Sequence, residues 1–294
     1  GALVQSVLDR RTWHQNFNVY SIAITFVLVL SVFCAVFPVE KVASFVNSAS
    51  TLNHASRRRY LIKNIVHLTR EMVLDDGFSR FEKNQVTAAI AYYQDQFRRS
   101  DLAVRKGGVF GIRSGADDRN PLHNQIMYTN GCPWRDDPSD CSIPSLPGMG
   151  KTGLYQILSA FMDSVRKAIV NYGSAPEDWP VDWKGRSGVT DKFQNVTLNF
   201  DKLANFDSDL KLQFVMDSFE GDVAQGLGMI SDILEEAAFS SLRTGVRDNN
   251  TLYAIHITTV TLLFYFGLVR HTMLRAHIEI RKARTFVMNM PFYI

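Results

Sequence analysis

The sequence predicts a mainly α-helical protein in which two transmembrane helices flank an extracytoplasmic antiparallel helical bundle with a long disulfide-closed loop. Three observations predict this fold class. Two apolar segments, residues 19–39 and 251–270, are long enough to cross a lipid bilayer. Apolar residues between them recur at steps of three and four, as in amphipathic helices. Cys132 and Cys141 lie close together in a stretch rich in Gly, Pro and Asp within this intervening region.

The composition of the 294-residue chain is that of a folded protein, with 46% hydrophobic and 21% charged residues. These fractions exclude intrinsic disorder, a collagen and a coiled-coil rod as descriptions of the whole chain. The 32 basic residues are nearly balanced by 29 acidic ones. Such a small positive excess is not typical of a nucleic-acid-binding protein, so we expect no nucleic-acid partner.

The first apolar segment contains no Asp, Glu, Lys, Arg or His from Gln15 to Val39. As a helix, the run Tyr20–Phe37 would extend roughly 27 Å, close to a hydrocarbon core of about 30 Å. A buried helix of a soluble protein would normally carry a polar face, and a secretory signal peptide has a shorter apolar run. We therefore predict a transmembrane helix at residues 19–39.

The second apolar segment extends from Leu252 to Val269, between Asp248 and Arg270. It contains three threonines, whose hydroxyl groups can bond to the helix backbone. It also contains His256, which lies near one end, where a polar side chain costs less than at the centre. We predict a second transmembrane helix at residues 251–270.

Basic residues near the ends of the two segments predict the orientation in the membrane. Arg10 and Arg11 precede the first segment, and only Lys41 and Arg247 lie close to the membrane on the side of the middle region. Five further basic residues follow the second segment: Arg270, Arg275, Arg281, Lys282 and Arg284. We therefore expect residues 1–18 and 271–294 to be cytoplasmic. Residues 40–250 are expected to be extracellular or lumenal, in a plasma or ciliary membrane.

The cysteines and sequons of the middle region agree with an oxidising compartment. We predict a disulfide between Cys132 and Cys141, because two cysteines without nearby histidines are insufficient for the alternative, a zinc site. Cys34 lies inside the first apolar segment and has no partner. Asn195 and Asn249 begin Asn-x-Thr sequons, which predict glycosylation.

The spacing of apolar residues in the middle region predicts four helices. They cover residues 40–74, 80–102, 151–170 and 190–242. We expect the first to continue from the membrane segment and to end at Asp75-Asp76-Gly77, and the third to stop at Gly173. Gly221, Gly226 and Gly228 are expected to break or kink the last helix, which continues toward the second apolar segment.

The region between the second and third predicted helices, residues 107–150, is rich in turn-forming residues. We predict an irregular loop there, ordered by the disulfide rather than by a core of its own, with a short strand at Val109–Ile112. Gly148-Met-Gly-Lys-Thr152 resembles the end of a phosphate-binding loop. The first glycine of that motif is replaced by Ser145, so we expect a simple turn before a helix.

Basic clusters are the remaining candidate sites. Arg57, Arg58 and Arg59 could contact an anion or a lipid headgroup in the middle region. On the predicted cytoplasmic side, the same is separately possible for the residues that follow the second apolar segment, Arg270, Arg275, Arg281, Lys282 and Arg284. The alternative for the Arg57–Arg59 cluster is a solvated helix face paired with acids such as Asp75 and Asp95. The alternative for the basic helix that follows the second segment is a mechanical link to cytoplasmic domains. No constellation of catalytic or metal-binding residues is evident, so we expect no enzymatic activity, no cofactor and no metal.

Two stretches resemble a family of multi-pass membrane proteins of protists and algae, the tiny macrocysts protein B/C-like group. One is the helix from Gly153 to Arg166, and the other is the basic stretch from Ile280 to Pro291. The resemblance implies cytoplasmic sensory modules outside this chain and a signalling or membrane-organising role. It implies no catalytic residues.

Two functions fit these observations. The first is the membrane and extracytoplasmic portion of a sensor or receptor-like protein that passes helix motion across the membrane, as part of a larger protein. The alternative is a structural or adhesive membrane subunit that anchors an extracellular assembly or a larger complex through the Cys132–Cys141 loop and Trp134. Both functions involve the lipid bilayer and a protein partner or a homo-oligomer, and neither identifies a small-molecule ligand.

Overall fold

The structure is a computed structural model that describes residues 12–77, 81–115, 120–180 and 200–288. The protein is mainly helical, and these described ranges contain no β-strand. The chain divides into two compact units. The terminal unit comprises Gly1–Ser44 and Ser241–Ile294, and the central unit comprises Phe45–Ser240.

Long helices supply most of the terminal unit. Helix α1 extends from Thr12 to Leu74 and therefore includes residues of both units. Helix α7, Asp222–Leu262, likewise begins in the central unit and continues into the terminal unit. It is followed by a π-helical segment, Leu263–Arg270, and by helix α8, His271–Met288.

One helix in the described part of the chain, α1, has a segment long and apolar enough to cross a membrane. The second predicted span does not form a single α-helix. It is divided between the end of α7 and the π-helical segment, which begins at Leu263. A wider helical turn cannot be recognised from apolar periodicity, because the residues on both sides of the change are equally apolar.

The central unit contains five further α-helices in the described residues. They are α2 (Lys83–Lys106), α3 (Pro121–Tyr128), α4 (Leu154–Tyr172), α5 (Phe200–Ser208) and α6 (Leu210–Asp217). One hydrophobic core joins residues of α1, α2, α3, α4, α6 and α7. Its fully buried members include Ile62 of α1, Ile90 of α2, Phe161 of α4 and Leu227 of α7.

Local signals determine the ends of several of these helices. Helix α1 ends at Leu74, directly before the predicted break, where Gly77 has a positive φ of 78°. At the start of α2, Glu82 and Gln85 form a reciprocal capping box. Helix α4 ends at Gly173, as the sequence predicts. The end of α1 and the stop at Gly173 confirm the prediction, whereas α2 begins at Lys83 and ends at Lys106 instead of covering the predicted residues 80–102.

The region 107–150 differs from its prediction. It contains helix α3, and the side chains of Ile126, Met127 and Ile143 are buried in the main core. The segment is therefore held by shared hydrophobic packing as well as by its cysteines. The predicted strand Val109–Ile112 is a tight turn, because the amide of Ile112 donates to the carbonyl of Val109 and Phe110 has a φ of 53°.

The predicted helix 190–242 is also corrected. Residues 190–199 lie outside the described ranges, and the remainder forms α5, α6 and the start of α7. The chain breaks before Gly221, as predicted, but Gly226 and Gly228 lie within α7. A Cβ atom on Gly226 would lie 2.6 Å from Cδ1 of Leu154, so this glycine allows two helices to approach closely.

Candidate functional site

Two contacts in the terminal unit show that α1 and the segment from α7 to α8 are antiparallel neighbours. Nζ of Lys41 lies 3.6 Å from Oδ2 of Asp248, and the hydroxyl of Tyr20 lies 3.4 Å from Oγ1 of Thr272. The two contacts are separated by roughly 32 Å along α1, taking about 1.5 Å per helical residue. This separation is close to the thickness of a hydrocarbon core, about 30 Å.

The side chains of this helix pair have the reverse of the distribution expected in water. On α1, nine large apolar side chains are 53–69% exposed: Ile22, Ile24, Phe26, Leu28, Val29, Val32, Phe33, Val36 and Val39. The facing segment also exposes Ile257, Phe264 and Tyr265 by more than half. By contrast, Cys34 is 4% exposed, and the half-buried Ser31 donates to the carbonyl of Val27. An apolar exterior around a small, partly polar interface is typical of helices that pack within lipid.

A second feature, in the central unit, is a buried charge network. Arg58 of α1 is completely buried, and its Nη1 lies 2.8 Å from Oδ1 of Asp101 on α2. The other carboxylate oxygen of Asp101 accepts from Nε of Arg105 at 2.7 Å. Arg105 in turn donates to the hydroxyl of Tyr128 on α3 and stacks over the ring of Tyr155 on α4. One carboxylate therefore serves two guanidinium groups and ties together elements that are distant in sequence.

The electrostatics of the network depend on its burial. Burial, aided by the charge of Arg58, lowers the pKa of His123 on α3 to about 4, so this imidazole is neutral at physiological pH. Burial alone would disfavour the charge of Arg105, but the carboxylate of Asp101 raises the pKa of Arg105. The network thus places two guanidinium groups and one carboxylate beside a neutral histidine.

This network corrects the prediction for the Arg57–Arg59 cluster. Arg58 does not face solvent, because it is buried and paired with Asp101, so it is not available to an external anion or lipid. The two acids proposed as its partners bind elsewhere, Asp75 to Lys202 and Asp95 to Arg99.

The other two arginines of the cluster lie in different surroundings. Arg57 donates to the side chain of Gln96 at 3.0 Å. Arg59 is exposed, and its guanidinium lies beside Gly228. Three consecutive residues of one helix point in different directions, since each step around an α-helix is about 100°.

The remaining predicted contacts for an anion or a lipid lie in the terminal unit and are exposed. They are Arg270, Arg275, Arg281, Lys282 and Arg284. Arg270 ends the π-helical segment, where its guanidinium lies 5.7 Å from the centre of the Phe266 ring. The other four follow on α8.

Sγ of Cys132 and Sγ of Cys141 lie 2.06 Å apart, at disulfide-bond distance, in the pairing that the sequence predicts. The loop that they close docks onto the start of α7. The indole of Trp134 donates to Oδ1 of Asp222 at 2.8 Å, and Arg135 donates to both oxygens of the same carboxylate. Trp134 is thus half-buried in an internal contact, which is unfavourable for its predicted role as an adhesive surface.

The other sequence motifs have structural explanations or lie outside the described ranges. Gly150 lies in a 3-10 turn, Met149–Lys151, where a Cβ atom would overlap the carbonyl oxygen of Cys141. The glycine therefore allows this close packing of two backbone segments. Asn249 is half-buried within α7, which does not offer the surface loop that a glycosylation sequon requires. Asn195 lies outside the described residues.

No sequence motif marks Asp101, Arg105, His123 or Asp222 as members of a site. The only available signal was the four-residue spacing of Asp101 and Arg105, which places them on one helix face. The same spacing occurs in the exposed pair Asp95 and Arg99, so it does not distinguish a buried network from a solvated one.

Comparison with known proteins adds no functional assignment. No family model, curated protein or solved structure matches the chain. In the described ranges, no group of three or more His, Cys, Asp or Glu side chains is arranged to hold a metal ion. The functional conclusion therefore depends on the helix pair and on the buried charge network.

Proposed function

We propose that this chain is the membrane and extracytoplasmic portion of a sensor or receptor-like protein, which passes helix motion across a lipid bilayer. The observation that carries this proposal is the antiparallel helix pair of the terminal unit. Its apolar side chains face outward, and its end contacts, Lys41–Asp248 and Tyr20–Thr272, are separated by about one bilayer core. The second span, residues 251–270, belongs to this proposal.

The continuity of two helices supports a signalling role. Both α1 and α7 contain residues of the two units without a break at the boundaries near residues 44 and 241. A displacement or rotation of an intact helix is transmitted along its length, since its backbone hydrogen bonds resist local deformation. The Arg58–Asp101 contact joins α1 to α2, so a stimulus that moves α2 would also act on α1.

The proposed orientation places residues 40–250 outside the cell or in a lumen. The Cys132–Cys141 pair supports this assignment, because disulfides persist in oxidising compartments. The resemblance of two short stretches to the tiny macrocysts protein B/C-like group is consistent with the same role. The basic helix α8 then lies on the cytoplasmic side, where a plasma or ciliary membrane carries anionic lipids.

Topology is tested with single exposed cysteines introduced by Ser208→Cys and Ala276→Cys in separate variants. Cells that express each variant are treated with a membrane-impermeant maleimide before and after permeabilisation. We expect the cysteine at position 208 to react in intact cells and that at position 276 to react only after permeabilisation. Reaction of both cysteines in intact cells, or of neither, would contradict two membrane crossings.

Signal transmission is tested with spin labels at positions 20 and 272, the contacting residues at one end of the helix pair. Small molecules are first screened for those that raise the melting temperature of the purified full chain. A stabilising compound is expected to change the distance distribution between the two labels. If stabilising compounds leave that distribution unchanged, the central unit binds ligands without moving the helices.

A further inference from the structure

Arg243 and Arg247 form an exposed pair of like charges on α7, within the terminal unit. They lie four residues apart and therefore on the same helix face, where like charges destabilise the helix. The residues three and four positions from each arginine include no Asp or Glu. Among the described ranges, no carboxylate forms an ion pair with either arginine; the neighbouring Asp248 pairs with Lys41. Among the side chains that the structure describes, none supplies a compensating negative charge to this face.

A shallow groove of about 490 Å³ lies along the same face. Its lining residues are Leu242, Arg243, Val246, Arg247, Asn250 and Thr251. Two guanidinium groups are suited to the oxygens of a phosphate, and the side-chain amide of Asn250 can donate a further hydrogen bond. The groove therefore combines cationic, polar and apolar groups, as recognition of an amphiphilic anion requires.

The position of the arginines along α7 indicates the source of that anion. Arg247 precedes the uncharged stretch 249–269, and Arg270 follows it. Arg247 and Arg270 are 23 positions apart, or roughly 35 Å at the α-helical rise of about 1.5 Å per residue, which places them near the two headgroup layers of a bilayer about 40–45 Å thick. From Asn250, seven-residue steps along the helix reach Ile257 and Phe264, which are 63% and 60% exposed. An apolar track thus extends from the groove into the proposed membrane segment.

We propose that Arg243 and Arg247 bind the phosphate of a phospholipid in the extracytoplasmic leaflet, where α7 enters the bilayer near Asp248. An acyl chain of this lipid would lie along Ile257 and Phe264. This inference rests on the proposed membrane insertion of α7. A bound lipid would neutralise the like-charge pair. It would also anchor α7 where it enters the bilayer, so the helix that transmits motion would be sensitive to lipid binding.

The test uses the full chain, purified in a neutral detergent, and native mass spectrometry to count retained phospholipids. The variant carries Arg243→Gln and Arg247→Gln. The matched control carries Arg98→Gln and Arg166→Gln, which remove two exposed positive charges from the central unit. We expect the variant to retain about tenfold less phospholipid than the unmodified chain, because losing roughly one contact to the phosphate lowers the binding affinity by about that factor. We expect the control to retain as much phospholipid as the unmodified chain. Equal retention by the variant and the unmodified chain would overturn the proposed site.

Two further arms separate the alternatives. Dihexanoyl phosphatidylglycerol is expected to raise the melting temperature of the unmodified chain more than that of the variant, whereas inorganic phosphate should have no such effect. An equal effect of inorganic phosphate would overturn the lipid assignment in favour of a general anion site.

Liposome flotation is measured in parallel. If both proteins float but retain lipid equally, only this inference fails; if neither floats, the membrane proposal fails as well.

Discussion

Replacing Asp101 by Asn removes the negative charge that Arg58 and Arg105 share. Arg58 is 0% exposed and the side chain of Asp101 is 10% exposed, so water cannot replace the lost charge. Breaking a buried ion pair by removing one partner costs about 3–5 kcal/mol, because an uncompensated charge is left in the interior. We therefore expect Asp101→Asn to lower the stability of the central unit by that amount.

The same helix provides a matched control for this prediction. Asp95 and Arg99 have the same four-residue spacing and lie 2.8 Å apart, but their side chains are 47% and 62% exposed. Exposed pairs with this spacing contribute only about 0.3–0.5 kcal/mol. Asp95→Asn should therefore have a nearly undetectable effect, although it changes the same chemical groups.

Thermal unfolding of the full chain in detergent, followed by circular dichroism, measures the difference. At roughly 2–4 °C per kcal/mol for a domain of this size, Asp101→Asn should lower the melting temperature by about 6–20 °C and Asp95→Asn by at most about 2 °C. Replacing the pair by apolar residues, Arg58→Met with Asp101→Leu, should recover only part of the loss, because Arg105 also loses its carboxylate partner. If Asp101→Asn and Asp95→Asn have the same effect, the buried pair does not stabilise the fold in the way proposed.

Three further changes test other parts of the structure. Because the pKa of His123 in the folded protein, about 4, lies below the ordinary histidine pKa of 6.5, the unfolded state binds more protons between these values. The free energy of unfolding should therefore fall by about 3 kcal/mol as pH decreases through this range. Denaturant titrations of His123→Asn, repeated at several pH values, should show a smaller decrease in that free energy. Cys132→Ser should cost about 2–3 kcal/mol, and a reductant should then have no further effect on the melting temperature. Gly226→Ala should destabilise the protein by about 1 kcal/mol net, because its Cβ meets Leu154, whereas Gly228→Ala should stabilise it by about 0.5–1 kcal/mol; melting temperatures that shift in the same direction would contradict this packing.

Local features of the sequence were predictable where a few neighbouring residues control them. The end of α1 at Leu74, the stop at Gly173 and the break before Gly221 are of this kind, since caps and turn residues act within one helical turn. The apolar segment in α1 was equally evident, because its length and composition alone would allow it to cross a membrane. Helix α3 was missed, since its eight residues are too few to establish a periodicity.

The candidate sites were less predictable because burial depends on the arrangement of helices. Arg58 and Arg59 are adjacent and chemically identical, yet the first is completely buried and the second is exposed. Their roles differ because α2 covers one side of α1 and brings Asp101 to it. No property of the Arg57–Arg59 stretch itself contains this information.

The sequence by itself determined the helical class, the apolar segment of α1 and the cysteine pair, since each depends on composition or on short-range spacing. Only the tertiary structure decided that Arg58 belongs to a buried network, that Trp134 faces Asp222, and that α1 and α7 are antiparallel neighbours. The physical reason is that the cost of a charge and the partner of a side chain depend on surrounding atoms, and the fold collects those atoms from distant parts of the chain.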